Sequence, residues 1–192
     1  MTTTTAIIAG QGELPCLVAE GVHAAGRSVL GIGLRNQYVP SFPSCCDNFV
    51  EVGVMQPGRW IRAARKYKIE DAIMIGRVSK GRMHEKSLLR QVISEMPDLY
   101  AINLWYRRLR HDRRSSVLLR TLADDLANKG LILVDSTTYL ESHLANEGVM
   151  TSSPLTSSAS GDIDFGWPLL VESSRLHIGQ AIAVRNRDVI SV

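Results

Sequence analysis

The chain has 192 residues, of which 45% are hydrophobic and 21% charged, and its formal net charge is +3. This length and apolar content suffice for one well-packed core, or for one domain and part of another. The charge is too small to indicate nucleic acid binding, and no apolar run approaches the roughly 20 residues of a membrane span. The N-terminal "MTTTT" lacks a charged segment followed by an apolar one, which predicts a cytoplasmic protein without a secretory signal.

The three cysteines are Cys16, Cys45 and Cys46. An odd number of cysteines does not suggest a disulfide framework and instead favours a reducing compartment. Vicinal cysteines cannot easily both face one ion, and no further Cys or His lies at zinc spacing. We interpret Cys45 and Cys46 as small buried or loop residues, and we predict no metal site.

The first predicted element is a strand over residues 4–9, which ends at the glycine turn "AGQGE". An amphipathic helix follows, with Pro15 in its first turn and Gly26 at its end. Helical spacing predicts that this helix buries five apolar side chains: Leu14, Leu17, Val18, Val22 and Ala25. The next predicted elements are strands over 28–34 and 48–54, a helix over 58–68 and a strand over 71–76.

The second half is predicted to contain helices over 86–96, 99–110 and 116–129, followed by a strand over 131–136. This alternation predicts an α/β fold over residues 1–150, with a Rossmann-like, mainly parallel sheet of order 3-2-1-4-5. The Ser/Thr-rich segment 151–161 has the composition of a linker. A helix with Asp162 as its N-cap and a hairpin with a turn at 185–188 cannot form an independent core. Residues 162–192 therefore predict the beginning of an incomplete second α/β domain.

The glycine turn after the first strand is a candidate phosphate site. Its residues are Gly10, Gln11, Gly12 and Glu13. A glycine-rich turn lets backbone N–H groups approach an anion, and the next helix adds its positive N-terminal end. The pattern lacks the third glycine of G-x-G-x-x-G, and no acidic residue closes the second strand, which disfavours an ordinary NAD site. A tight turn that binds nothing remains the alternative.

A second turn follows the fourth strand, in "IGRVSKGR". In a doubly wound sheet the first and fourth strands are neighbours at the topological switch point, so their turns flank one crevice. Arginine and serine suit phosphate, while simple solvation of the loop is the alternative. The candidate binding residues in this turn are Gly76, Arg77, Ser79 and Lys80.

The remaining motifs carry little chemistry. The arginine-rich "RRLRHDRR" over 107–114 fits an anionic substrate, a lipid headgroup surface or a solvated helix end. It contains no interleaved aromatic residues, so nucleic acid is not predicted as a partner. The five histidines are scattered and no nucleophile motif is present. The residues alone therefore predict a phosphate-binding crevice without a visible catalytic apparatus.

Three ordered motifs resemble one family: "IAGQGELP", "IGRVSKG" and "SSRLHIGQAIAVRNRDVISV". They are similar to the I-type UDP-2,3-diacylglucosamine pyrophosphatases of the bacterial lipid A pathway, over essentially the whole chain. The resemblance implies a two-domain hydrolase that releases UMP and 2,3-diacylglucosamine 1-phosphate. It also implies Mg²⁺, a UDP-diacylglucosamine substrate and peripheral contact with the inner membrane. Gly179 and Gln180 of "LHIGQ" join the candidate substrate-binding residues on this basis.

The chain departs from the family pattern at three places. Gln11 replaces the middle of three glycines, and His177 replaces an aspartate. Arg114, Ser115 and Ser116 stand where the family commonly has Gly-Asp-Asp. The resemblance also places the catalytic carboxylate beyond Val192, so we expect this chain alone to be inactive. A non-catalytic module that binds a nucleotide or UDP-sugar is the alternative, and exposed hairpin edges suggest a homodimer or swapped pairing.

Overall fold

The structure is a computed structural model that describes residues 3–78, 96–104, 106 and 115–192. The chain divides into two compact units, Met1–Leu144 and Ala145–Val192. The helices and strands of the first unit are β1 (Thr4–Ala9), α1 (Leu14–Ala24), β2 (Ser28–Leu34), a 3-10 helix (Phe42–Cys45), β3 (Asn48–Val52), α2 (Pro57–Lys66), β4 (Asp71–Ile75), α3 (Leu99–Leu104), α4 (Ser115–Ala127), β5 (Ile132–Leu133) and a second 3-10 helix (Glu141–His143).

The strands of the first unit form a parallel five-stranded sheet in the order β3-β2-β1-β4-β5. The predicted Rossmann-like fold and strand order are therefore confirmed. β1 is central and pairs with β2 through Ile8 and Ile32 and with β4 through Ile8 and Met74. Parallel strands that are covered on both faces have nearly continuous apolar sequences, such as "AIIA" of β1 and "DAIMI" of β4.

The sheet separates two hydrophobic clusters because successive side chains of a strand point to opposite faces. Ile8 of β1 belongs to a cluster with Trp60 of α2 and Leu126 of α4. Ile7, the preceding residue, belongs to the other cluster, with Val18 of α1 among its members. Helices on both faces hold β1 in the centre, with its carboxyl end at the edge that carries the glycine turn.

Two predicted details of the first unit are wrong. α1 buries the stripe Pro15, Cys16, Val18, Ala19 and Val22. Leu14 is instead 48% exposed at the start of the helix, and Ala25 is exposed because it caps the helix after Ala24. The strand predicted over 131–136 is only Ile132–Leu133, since Asp135 accepts hydrogen bonds from its neighbour Thr137 and turns the chain. The helix predicted over 86–96 lies outside the described residues, apart from its last position.

The second unit contains α5 (Ser157–Arg175) and an antiparallel hairpin of β6 (Ala183–Arg185) and β7 (Asp188–Ser191). The predicted start of this helix is wrong. Thr156, not Asp162, is the N-cap, because its hydroxyl accepts the amide of Ala159 at 3.2 Å. No helix in the described parts of the chain is long and apolar enough to cross a membrane.

Asp162 lies within α5 and binds the turn of the hairpin. Its carboxylate accepts the backbone amides of Asn186 at 3.2 Å and Arg187 at 2.7 Å. Both turn residues have positive φ, 53° and 57°, as the tight type I′ connection of a hairpin requires. The acidic side chain therefore fixes the hairpin to the helix instead of beginning the helix.

Candidate functional site

The turns that follow β1 and β4 are joined by backbone hydrogen bonds. Gln11 donates its amide to the carbonyl of Arg77 at 2.8 Å, and Arg77 donates to the carbonyl of Gln11 at 3.1 Å. Gly10 also donates to the carbonyl of Ile75 at 2.8 Å. The strand order places these two turns at the same sheet edge, and the hydrogen bonds hold them in direct contact.

Glycine is required at both sides of this contact. A Cβ on Gly10 would lie 2.7 Å from the carbonyl oxygen of Arg77. A Cβ on Gly76 would lie 2.7 Å from the carbonyl carbon of Gly10, and Gly76 also has a φ of +96°. Backbone atoms cannot yield as the end of a flexible side chain can, so the two turns approach this closely only because both residues lack a side chain.

The joined turns form one wall of an open crevice of about 470 Å³, within the range of small-molecule sites. The residues lining this crevice are Gln11, Gly12, Leu14, Gly76 and Arg77. Leu14, exposed rather than buried as predicted, supplies an apolar surface here. The described lining therefore combines backbone with the side chains of one amide, one cation and one apolar residue.

The backbone donors of the glycine turn are divided between two roles. The amides of Gly10 and Gln11 already bind the second turn. Among the described residues, the amides of Gly12 and Glu13 have no hydrogen-bond partner. Both amides lie at the N-terminal end of the 11-residue helix α1, where the helix dipole favours an anion. Gly12 and Glu13 are therefore the turn's available anion donors.

Within the described parts of the chain, two charged side chains lie in or beside the crevice. Arg77 is exposed, and no carboxylate in the described parts of the chain forms an ion pair with it. Its guanidinium group can offer two parallel N–H donors to a phosphate. The exposed Glu13 carries the opposite charge, so its carboxylate disfavours an anion close to its own side chain.

A buried glutamine extends this site towards the carboxyl end of β2. Gln37 is only 5% exposed, and its Oε1 accepts the side-chain amide of Gln11 at 3.2 Å. Gln37 was not among the residues predicted for the site, although "RNQ" directly follows β2 and must lie at the same sheet edge as the glycine turn. In nucleotide-binding α/β proteins, the end of β2 supplies the group that binds the ribose.

An acidic residue is present at this edge, although none closes β2 itself. Glu51 of β3 pairs with Gly33 of β2 and accepts hydrogen bonds from Arg35 and the Tyr38 hydroxyl, both at 2.8 Å. Partial burial would raise the pKa of Glu51, but these hydrogen bonds outweigh it and lower the pKa. Burial and the contact with Glu51 raise the pKa of Tyr38. Glu51 is thus a charged group already held by two side chains.

The structure describes the other predicted site residues only in part. Ser79 and Lys80 lie outside the described residues, as do Arg107–Arg110 and 111–114. Gly179 and Gln180 belong to the second unit. A Cβ on Gly179 would lie 2.6 Å from a methyl group of Val192.

The family-implied Mg²⁺ does not fit the described residues. Within them, no group of three or more His, Cys, Asp and Glu side chains could hold a metal ion. Glu13 at the crevice is a single carboxylate, and Glu51 already binds Arg35 and Tyr38. Magnesium prefers several oxygen ligands in octahedral geometry, which these residues do not supply.

Comparison with known proteins adds one family match. The sequence profile of the LpxI N-terminal domain matches residues 4–143. No curated protein matches the chain significantly. Two similar solved structures are a biotin carboxylase domain of a single-chain bacterial carboxylase and a UDP-glucose 4-epimerase from Stenotrophomonas maltophila. Each is 12% identical, with TM-scores of 0.40 and 0.34. The alignment with the biotin carboxylase domain covers 72% of this chain and 25% of that chain. The alignment with the epimerase covers 93% of this chain and 48% of the epimerase.

Proposed function

Since the chain belongs to the LpxI family of lipid A pathway UDP-2,3-diacylglucosamine hydrolases, we propose that its crevice binds the phosphate or nucleotide part of that UDP-sugar. The observation that carries this proposal is the pairing of a guanidinium group with helix N-terminal amides that have no hydrogen-bond partner among the described residues. Gly12 and Glu13 offer the amides, and Arg77 offers the cation. Amide donors and an arginine fork together match the oxygen atoms of a phosphate.

The nucleoside end of the ligand is assigned to the β2 side of the crevice. Gln11 lines the crevice there, its side-chain amide is held by the buried Gln37, and amides both donate and accept hydrogen bonds. The hydroxyl groups of a ribose need such partners. In this arrangement the phosphate lies at Gly12 and Arg77, and Gln37 holds the Gln11 amide beside the sugar.

In this proposal the first unit positions the substrate, and the hydrolytic water is activated elsewhere. The phosphate charge is met by Arg77, and the fixed turn orients the group before reaction. Pyrophosphate hydrolysis also requires neutralisation of developing charge on the phosphate oxygens, which is the chemistry that Mg²⁺ supplies when it is bound. Because the described residues offer no metal site, we expect the 192-residue chain to bind without releasing UMP.

A second candidate is a nucleotide-binding module without catalytic activity. The lack of a metal site in the described residues favours it for this chain. The replacement of the family's aspartate by His177 does not favour this candidate, because His177 has a φ of +57° just after α5. Aspartate and histidine are both tolerated in this left-handed conformation, so the exchange has a backbone explanation. Release of UMP from UDP-2,3-diacylglucosamine by the 192-residue chain would exclude the non-catalytic alternative and would also contradict our expectation that this chain binds without hydrolysis.

The binding proposal is tested by titrating the chain with UMP while recording backbone amide shifts. We expect shifts at Gly12, Glu13 and Arg77. Arg77→Gln should weaken UMP binding about 10-fold to 100-fold, as expected for loss of a charge-assisted hydrogen bond. Arg62→Gln is the matched control, since Arg62 is an exposed arginine on α2. Silence of both turns at millimolar UMP, or equal weakening by the two variants, would contradict the proposal.

A further inference from the structure

We propose that Cys16 and Cys45 are a disulfide-forming pair, a thiol modification site that a small-molecule disulfide converts to an internal cross-link. All three cysteines are free in this structure. The Sγ atoms of Cys45 and Cys16 are 2.7 Å apart, with Cys45 donating its S–H hydrogen. This separation is shorter than van der Waals contact between sulfur atoms, and a disulfide bond is about 2.05 Å long.

The two thiols are held together by packed elements. Cys16 is in the first turn of α1 and is 8% exposed, while Cys45 ends the 3-10 helix Phe42–Cys45 and is partly buried. Both belong to the hydrophobic cluster that covers one face of the sheet. Closing the bond therefore requires a sulfur displacement of under an ångström rather than a rearrangement of the fold.

The neighbouring cysteine has a different environment and supplies an internal control. The Sγ of Cys46 donates to the carbonyl oxygen of Phe42 at 3.2 Å. It also lies where a side chain on Gly31 would be, 2.5 Å from the position of a Cβ there. Cys46 is thus directed at the sheet, and Cys45 is directed at α1.

The reaction consumes one small disulfide, such as oxidised glutathione. Cys45, the more exposed thiol of the pair, loses its proton and attacks the small disulfide, which forms a mixed disulfide and releases one glutathione thiolate. The Cys16 thiolate then attacks the Cys45 sulfur and releases the second glutathione. The two thiols of the protein are oxidised by two electrons, and one glutathione disulfide is reduced to two thiols.

The environment of the pair sets the pH dependence of this reaction. Burial, followed by the hydrogen bond and charge interaction with Cys16 and by the charges of Glu20 and Glu13, raises the pKa of Cys45 to about 12. Only the thiolate attacks a disulfide. At pH values below that pKa, the rate of cross-linking should therefore increase about 10-fold for each unit by which the pH is raised. The cross-link should therefore form slowly at neutral pH and much faster at pH 9.

The cross-link would fix the first turn of α1 to the segment that follows β2. Cys16 donates its amide to the carbonyl of Glu13 at 3.0 Å, so it is one hydrogen bond away from the glycine turn. Oxidation would thereby restrict the motion of the first turn of α1, which lies beside the crevice. Formation of the cross-link does not depend on whether the crevice binds a nucleotide.

The test incubates the 192-residue chain with oxidised glutathione at pH 7 and pH 9, then blocks remaining thiols under denaturing conditions. We expect the number of free thiols to fall from three to one, with the mass of the monomer lower by two hydrogen atoms. Peptide mapping should join the fragment containing Cys16 to the one containing Cys45. Cys46→Ala should form the cross-link as the wild type does, and Cys45→Ala should not.

Several outcomes would overturn the proposal. These are a stable glutathione adduct without an internal bond, cross-links only between chains, or equal internal cross-linking in Cys45→Ala. Thermal unfolding of each variant establishes that it is folded. If Cys45→Ala does not fold, Cys46→Ala decides alone, because its only remaining thiols are Cys16 and Cys45.

Discussion

The two units of the chain are stabilised in different ways. In the first unit the large side chains of Phe42, Ile32 and Leu126 are fully buried on the two faces of the sheet. In the second unit the only residue of α5 in the buried class is Gly166, and Trp167 is 64% exposed. The first unit therefore depends on burial of apolar area, whereas the second depends on caps, turns and local hydrogen bonds. Each of the following predictions tests this difference.

The largest effect is expected from removing a buried leucine of the first unit. Leu126→Ala should lower the free energy of unfolding by about 2–5 kcal/mol, because it leaves a cavity in the buried cluster of which Leu126 is a member. Leu176 of the second unit is 54% exposed. Leu176→Ala should therefore change the free energy of unfolding by less than about 0.5 kcal/mol. Urea unfolding followed by circular dichroism measures both. Equal losses would show that the second unit also has an apolar core.

A glycine pair gives the next largest effect. Gly76 and Gly148 have nearly the same φ, +96° and +99°, but a Cβ on Gly148 meets nothing within 4 Å. Gly76→Ala adds a collision with the Gly10 backbone to the conformational strain, so it should cost about 2–4 kcal/mol. Gly148→Ala should cost about 1 kcal/mol from strain alone.

Thermal unfolding of the two glycine variants measures this difference. Similar shifts in Tm would mean that the turns do not contact each other as the structure describes. The comparison separates the requirement for positive φ from the requirement for close approach.

A smaller effect is expected from the side chain that holds the hairpin of the second unit. Asp162→Ala removes the acceptor of the Asn186 and Arg187 amides, with a local loss of about 1 kcal/mol. Hydrogen exchange at those two amides should become several-fold faster, while exchange in β1 stays unchanged. Asp164→Ala, at an exposed residue of the same helix, is the control. Faster exchange in both variants would assign the effect to the helix instead.

The smallest effect concerns a local hydrogen bond in the first unit. The Asp47 carboxylate accepts the Val29 amide at 2.7 Å and lies 3.0 Å from the His23 ring nitrogen. The backbone hydrogen bond, followed by that to His23, lowers the pKa of Asp47. The pKa of an aspartate in the unfolded chain is about 3.9. Because the pKa of Asp47 is lower in the folded state, its carboxylate stabilises the fold at pH values above about 3.9. This contribution is lost as the pH falls through the folded pKa.

Comparing Asp47→Asn with the wild type measures the contribution of this carboxylate. Measured between pH 5 and pH 2, the difference in unfolding free energy should shrink as the pH falls below 4. A difference that grows on acidification would have the wrong sign for a lowered pKa and would reject this assignment.

The sequence predicted the sheet well because its strands are short apolar runs bounded by glycine or charged residues. In "AIIAG" and "SVLGIGL", both the strand and the positions where it ends are predictable from the local sequence. The rule for the topological switch point then predicted that Gly10 lies near Gly76. The start of α5 was not predictable from composition. "TSSASG" has the residues of a linker, and its helical form depends on the Thr156 cap. Gln37 was missed because its contact with Gln11 spans 26 residues and has no local signal.

The hydrogen bonds between Gln11 and Arg77 have an entropic consequence for any ligand of the crevice. The two turns are ordered by their own backbone before a ligand arrives, so binding need not pay for ordering them. Association should then resemble docking to a rigid surface, without a slow conformational step, and the free turns should already have the backbone shape of the bound ones. Natural variation at position 10 or 76 would remove this advantage even where every contacting side chain is kept.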